Sequence, residues 1–205
     1  MLKSKAMLND FSANVRLPFV RQIIFTDCAD STQNLVKDLA RSGAPEGLLV
    51  VAARQSGGRG QFDRKWSSPA GGLYMSLLLR PDAPAASFAL LSLAVARAAA
   101  NAVTALYGLK AKIKKPNDVF VLHPKRGEYL KVSGILIETA TGFDRFAVVG
   151  MGVNMNNALP ENLPQAGSLG DMTGRTLSQA EFAETFFEFF SDEYAQWKIQ
   201  ASAMR

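Results

Sequence analysis

The chain has 205 residues, 48% hydrophobic and 20% charged, a balance that fits one globular domain with a real core rather than a disordered polymer. A net charge of +5 and an isoelectric point near 9.4 point to an anionic ligand or an acidic partner, although the basic residues form no dense tract for nucleic acid. A lone cysteine, Cys28, excludes an internal disulfide and a cysteine-rich metal site. A lone histidine, His123, argues against a histidine zinc centre or a Ser-His-Asp triad, and beside Pro124 and Lys125 it reads as a loop residue. No stretch reads as a membrane span, and residues 1–17 lack the apolar core of a signal peptide, so a cytoplasmic protein with no membrane partner is expected.

Residues 1–18 are aperiodic and read as a leader. A first strand is expected over 20–25 and a first helix over 30–41, with Asp30 and Gln33 in capping spacing and Leu35, Val36, Leu39 and Ala40 on one face. Ser31 and Thr32 then stand at a helix start, where they either cap the helix or offer hydroxyls to a ligand. Strands are expected over 48–53 and 73–79, and a buried alanine-rich helix over 87–106. Short strands over 111–113 and 119–122 flank Lys114-Lys115-Pro116-Asn117-Asp118. A charged hairpin or loop at 123–130 leads to a strand pair, 132–139 and 145–153, turning at 141–144. Residues 158–174 read as a loop. Ser178 and Glu181 form a capping box for a last helix, whose stripe of Phe182, Phe186, Phe189, Phe190, Tyr194 and Trp197 reads as core. Strands outnumber helices and fall in hairpins, so the expected fold is α+β with a mixed, largely antiparallel sheet flanked by helices.

Between the second and third strands lies Gln55-Ser56-Gly57-Gly58-Arg59-Gly60-Gln61-Phe62-Asp63-Arg64-Lys65-Trp66. Glycines let backbone approach a ligand and present N–H groups to an anion, while Arg59, Arg64 and Lys65 supply charge. The stretch therefore reads either as a loop closing over a phosphate-bearing molecule or as a solvated glycine-rich surface loop. It is neither a Walker loop nor a dinucleotide fingerprint.

Four separated segments resemble the catalytic domain of biotin protein ligases: Asp30-Ser31-Thr32-Gln33; Arg54–Gly60 continuing through Arg64-Lys65-Trp66 to Gly72–Ser76; Lys114–Val119; and Lys131–Glu138 followed by Val149–Asn156. The resemblance implies the biotin/lipoate ligase catalytic fold, related to class II aminoacyl-tRNA synthetases. It implies ATP, biotin and magnesium, a biotinyl-5′-AMP intermediate, and transfer of biotin to a lysine of a biotin carboxyl carrier protein. That chemistry brings two anions together and stabilises phosphoryl charge, which is work for lysine, arginine and backbone N–H groups.

By that resemblance Lys114 and Arg59 are the catalytic cations, Lys114 touching both carboxylate and α-phosphate. Ser31, Thr32, Gln33, Gln55, Gly58, Arg59, Gly134 and Ile135 surround biotin. Arg64, Trp66, Lys114, Asn117 and Asn154 meet the adenylate, and Asp118 holds magnesium or orients Lys114; Asn154 and Asp118 read equally as turn residues. Two departures stand out. Lys115 replaces the family's tryptophan, placing a like charge beside Lys114 unless it points away along the strand. Gln61 stands where bacterial members often carry arginine; if that arginine helps retain the adenylate, glutamine implies a leakier intermediate or a different way of closing the loop. The resemblance ends near Asn157, so residues 20–205 are expected to be one catalytic domain without a C-terminal β-barrel or an N-terminal DNA-binding domain. No DNA partner is expected, and the family leaves room for a homodimer. A lipoate or octanoate ligase is the rival within the fold, and a weakly active biotin-binding homologue the rival outside catalysis.

Overall fold

The structure is a computed structural model and describes residues 11, 17–62, 64–140 and 145–204. Most of the expected leader and the whole turn at 141–144 lie outside the described residues. Strands β1 (Gln22–Thr26), β2 (Leu48–Ala52), β3 (Leu73–Leu79), β4 (Ala111–Lys114), β5 (Asp118–Leu122), β6 (Tyr129–Ala140) and β7 (Phe146–Val153) form one sheet of order β1-β2-β3-β7-β6-β5-β4. β1 and β2 pair in parallel, and the other neighbours are antiparallel. The fold is α+β, as the pattern of strands predicts.

Because side chains alternate across a strand, each face of the sheet can be read from the sequence. On one face, Leu49, Met75, Leu77, Val149 and Met151 meet Phe186, Phe187 and Phe190 of the last helix, α4 (Gln179–Ser202). Helix α2 (Phe88–Tyr107) packs beside α4, burying Leu91, Ala94, Val95, Ala98 and Ala102. Alanine lets the two helices approach closely, and the aromatic stripe of α4 is core, with only Phe189 partly exposed. Trp197 is tied to the start of α2 by an indole N–H donated to the Ser87 carbonyl at 2.8 Å. Residues Ala85–Tyr107 do have the length and apolarity of a membrane span, contrary to expectation. Here that segment lies against the sheet and α4, half buried in the domain.

The opposite face is covered in part by helix α1 (Thr32–Arg41), where Val36 and Ala40 pack on Leu48, Val50, Leu78, Phe146 and Val148. This helix starts two residues later than its sequence suggests. Ser31, in extended conformation, is the N-cap residue, and Asp30 instead accepts from the Asn34 amide at 3.3 Å and the Ser56 hydroxyl at 3.5 Å. For α4 the cap is as expected, the Ser178 hydroxyl accepting from the Glu181 N–H.

Two local expectations need correction. The segment 158–174 is not loop throughout, because it contains a short helix, α3 (Leu169–Thr173), capped by Ser168 and closed by Gly174 in left-handed conformation. His123 lies in a turn but is buried: its Nδ1 accepts from the N–H groups of Lys125 and Arg126, and its Nε2 lies 3.2 Å from the Asp171 carboxylate. The histidine thus joins the β5–β6 turn to α3.

Candidate functional site

The site begins where α1 ends its cover of the sheet. On β7 the residues facing α1 are Phe146 and Val148, and the next two on that face are Gly150 and Gly152. Register places Ser76, Gly150 and Leu136 in one row and Tyr74, Gly152 and Gly134 in the next. In each row β7 contributes a glycine with a small neighbour beside it, Ser76 in the first and Gly134 in the second, so the sheet itself becomes the floor of a hollow.

Three groups from outside the sheet bear on that floor: Gln33, the Thr32–Gln55 pair that braces it through Ser76, and Trp66. Gln33 of α1 reaches over Gly150, where an added Cβ would lie 2.4 Å from its Oε1. Its amide donates to the carbonyls of Val148 at 3.0 Å and Leu136 at 3.3 Å, and its oxygen accepts from the Ser76 hydroxyl at 3.1 Å. Thr32 meets the same Ser76 at 2.8 Å, and its backbone N–H and hydroxyl both donate to Gln55 Oε1. Gln55 in turn donates to the Ser68 hydroxyl at 2.8 Å. This buried polar chain fixes Gln33 and Gln55 before any ligand arrives.

Trp66 is the third. It is not the exposed residue that its loop suggests, because its indole lies across Gly134 and Gly152, contacts that any Cβ at either position would obstruct. Its indole N–H is buried and has no acceptor. Upstream of it the glycine-rich stretch doubles back: Gly60 N–H donates to the Arg64 carbonyl at 2.7 Å, and Trp66 N–H to the Gly58 carbonyl at 2.9 Å. Gly58 is required because a Cβ there would lie 2.4 Å from the Trp66 carbonyl. The tip residue Phe62 has φ +56° and is 84% exposed.

The loop and floor enclose two pockets that share a wall. The first, about 130 Å³, is lined by Ser31, Gln33, Gln55, Ser76, Gly134 and Gly150, with Arg59 and Gln61 at its rim. The second, about 460 Å³, runs from Lys114 and Phe120 past Asn154 to Leu163 and Gln165. Arg64, Lys65, Trp66, Asp118 and Lys131 line both. At this junction the Lys131 ammonium lies 2.6 Å from Asp118 Oδ1 and 5.3 Å from the Trp66 ring centroid.

The expected site residues therefore fall into groups. Ser31, Gln33, Gln55, Gly134 and Ile135 line the first pocket, while Thr32 is behind it, holding Gln55. Asn117 brackets Ile135, its amide donating to the Ile135 carbonyl and its own carbonyl accepting the Ile135 N–H, both at 2.9 Å. Arg64 and Trp66 border both pockets, and Asn154 lines the second with its side chain bonded to Asn157. Gly58 lies in neither, bordering the outer cleft with Ser56 and Pro69.

Lys114 lines only the second pocket, near the Phe120 ring; the lysines common to both are Lys65 and Lys131, of which Lys131 is paired with Asp118. Lys115 lines neither. Arg59 lines the first pocket, but its guanidinium is engaged with protein. It donates to Asn34 Oδ1 at 2.8 Å and to Glu138 Oε1 at 2.5 Å, and Glu138 also accepts from Lys37 at 3.0 Å. Burial by itself raises the Glu138 pKa, but the hydrogen bonds and charges of Lys37 and then Arg59 outweigh it and hold the carboxyl below its ordinary value.

Lys131 lies in a segment that resembles the family but carries no expected role, and strict alternation explains why. Counting by twos puts Lys131 on the opposite face from Gly134. A bulge at Val132, where the β5–β6 register shifts, inserts one residue and brings Lys131 round to the glycine floor. Among the described residues, no three His, Cys, Asp or Glu side chains gather where a metal ion could be held, and Asp118 is the carboxylate common to both pockets.

Fold and site together define a small-molecule-binding α+β domain with two connected pockets and cations at their junction. The chain belongs to the biotin/lipoate A/B protein ligase family, whose description matches residues 25–156. It is 35% identical over 184 residues to the bifunctional ligase/repressor BirA of Bacillus spizizenii, covering 86% of this chain and 55% of that protein. It is 33% identical over 178 residues to a biotin–[acetyl-CoA-carboxylase] ligase of Paracoccus denitrificans, covering 83% and 70%. Among solved structures it resembles the biotin protein ligase of Aquifex aeolicus in complex with biotin and ATP, with TM-score 0.75, 30% identity and coverage of 88% and 73%. The chain thus spans only about half the length of the Bacillus relative.

Proposed function

We propose that this chain is an ATP-dependent biotin protein ligase, which makes biotinyl-5′-AMP and then passes biotin to a lysine of a carboxyl carrier protein. The observation that carries the reading is the Lys131–Asp118 pair at the shared wall of two pockets. A reaction between two anions needs cations that reach both compartments; Arg64, Lys65 and Lys131 border both, and Lys131 is the one fixed at the junction by Asp118. In the first step a biotin carboxylate oxygen attacks the α-phosphorus and the bond to pyrophosphate breaks. In the second, a carrier lysine attacks the acyl carbon and AMP leaves.

The first pocket suits the compact polar ring of biotin, because Ser31, Gln33, Gln55 and Ser76 supply donors and acceptors there. A lipoyl chain would need an apolar tunnel, and that polar lining does not favour it. The second pocket is of nucleotide size, with Lys114, Lys65 and Arg64 for phosphate. Trp66 borders both, its ring lying on the glycine floor between them. The named relatives and the biotin- and ATP-bound Aquifex structure support the same reading.

Magnesium would be held at Asp118. The ion takes one or two carboxylates together with phosphate oxygens and water, so a single acid at the junction fits a nucleotide-borne ion, whose charge would offset that of the phosphates.

The test is biotin-dependent pyrophosphate release, followed by transfer to a purified carrier domain. Lys131→Met should lower adenylate formation about 1,000-fold, whereas Lys114→Ala should cost about tenfold, since only the former touches both pockets. Equal losses, or a greater one at Lys114, would reassign the central cation.

A further inference from the structure

Glu138 stands on the site face of β6, beyond the floor residues Gly134 and Leu136, and lines neither pocket. Yet one of its oxygens takes two cations from two different elements. Lys37 approaches from α1 and Arg59 from the glycine-rich loop, both on Oε1, while Oε2 is buried without a partner. Arg59 is held again by Asn34, so one terminal nitrogen is bound to α1 and the other to β6. Both amino groups of this guanidinium are used on protein, although its loop forms the rim of the first pocket.

The arrangement is poor as a source of stability. A half-buried carboxylate with a dry oxygen forgoes hydration that an ion pair scarcely returns. It does serve to fix geometry. The start of the loop is tied down by Gln55 and by the N–H groups of Ser56 and Gly57, which donate to the carbonyls of Ala29 at 3.0 Å and Asp30 at 2.8 Å, and Ser68 holds its far end; the backbone bonds between residues 58 and 66 are internal to it. Arg59 is the side chain that fastens its middle to the body of the domain.

We propose that Glu138 is a positioning residue: through Arg59 it holds the glycine-rich loop down on α1 and β6, and so keeps the first pocket roofed. The inference deepens the ligase reading and rests on it for its kinetic consequence. It also moves Arg59 from substrate contact to loop anchor. Two residues that act through one bond should be non-additive when removed.

The experiment compares wild type with Glu138→Gln, Arg59→Ala and the double variant in biotin-dependent pyrophosphate release, with limited trypsin cleavage of the ligand-free chain as a second readout. Loss of the anchor weakens ground-state and transition-state binding alike, so Glu138→Gln should raise the KM for biotin about tenfold with kcat within about twofold. Arg59→Ala should match it, and the double variant should be no worse than either single one. Trypsin should cut after Arg64 or Lys65 about tenfold faster in Glu138→Gln, while the melting temperature stays close to that of wild type. Asn34→Ala, which loosens Arg59 but leaves Glu138 and Lys37 intact, should shift both readouts in the same direction by about threefold. Lys37→Met, which spares the Arg59 bond, should leave KM within about twofold. Unchanged KM and cleavage in Glu138→Gln, or additive losses in the double variant, would overturn the proposal. A wild type without pyrophosphate release but with faster cleavage in Glu138→Gln would instead sink the ligase reading and keep the anchor.

Discussion

Strand β7 separates two surfaces that share a backbone and little else. Its residues Ala147, Val149, Met151 and Val153 lie in the large core beneath α2 and α4. Its other face carries Phe146 and Val148 under α1, then Gly150 and Gly152 under nothing but Gln33 and Trp66. The first face is filled along its length by apolar side chains. The second gives up two side chains and is covered instead by polar or loop-borne groups. Stability resides in the first, and the space for chemistry is the volume that the second leaves unfilled.

The comparison can be broken most severely from the filled side. Phe187 is fully buried between α4 and the sheet, so Phe187→Ala should destabilise the domain by about 3–5 kcal/mol, read from the urea midpoint. Ligand affinity, measured where the variant is still folded, should change little. A large affinity loss with small destabilisation would mean that the two faces are not separable.

From the empty side the expected effects reverse. Gly152 has no positive φ, and a β-branched residue suits a strand, so Gly152→Val should leave stability within about 1 kcal/mol. Its side chain would claim the volume now held by the Trp66 indole, where an added Cβ already lies 2.4 Å from the ring nitrogen. Biotin affinity should fall about 100-fold by calorimetry, close to 2.7 kcal/mol. Trp66 emission should shift red as the ring leaves the floor, with Trp197 remaining as the buried internal reference. Wild-type affinity in this variant would show that the glycine floor is not where ligand binds.

The same contrast explains what can be read from the chain and what cannot. The filled face announces itself, because apolar periodicity in strands and in α4 is a direct record of burial. β3, α2 and the aromatic stripe are therefore legible to within a residue or two. The glycines and cations of the site are legible as a composition, and their arrangement is not. Lys131 is hidden by a one-residue bulge that reverses the alternation, and Lys114 draws attention because it sits in the more conspicuous segment. Glu138 and Arg59 are 79 residues apart, and no local rule pairs them. Trp66 looks like a surface residue because its loop is polar, whereas its burial depends on two glycines on other strands.

The smallest expected effect sharpens the boundary between these surfaces, since Glu138 lies on the site face yet contributes to folding. Its carboxyl is held below the ordinary value of 4.5 by Lys37 and Arg59 against the opposing influence of burial. A depressed folded-state value means that the unfolded chain binds the proton more readily. The contribution is therefore complete above the unfolded value and is lost as pH falls through the lower folded one. Both partners are partly exposed, so screening limits the gain to under about 1 kcal/mol. Wild type should be more stable than Glu138→Gln by that margin at about pH 7, and the gap should close as pH falls below 4.5 and through the lower folded-state value, where the carboxyl takes up its proton. Urea midpoints across that range measure it. A gap that stays constant with pH would mean that the carboxylate charge is not what Lys37 and Arg59 respond to, and that Glu138 holds the loop by shape alone.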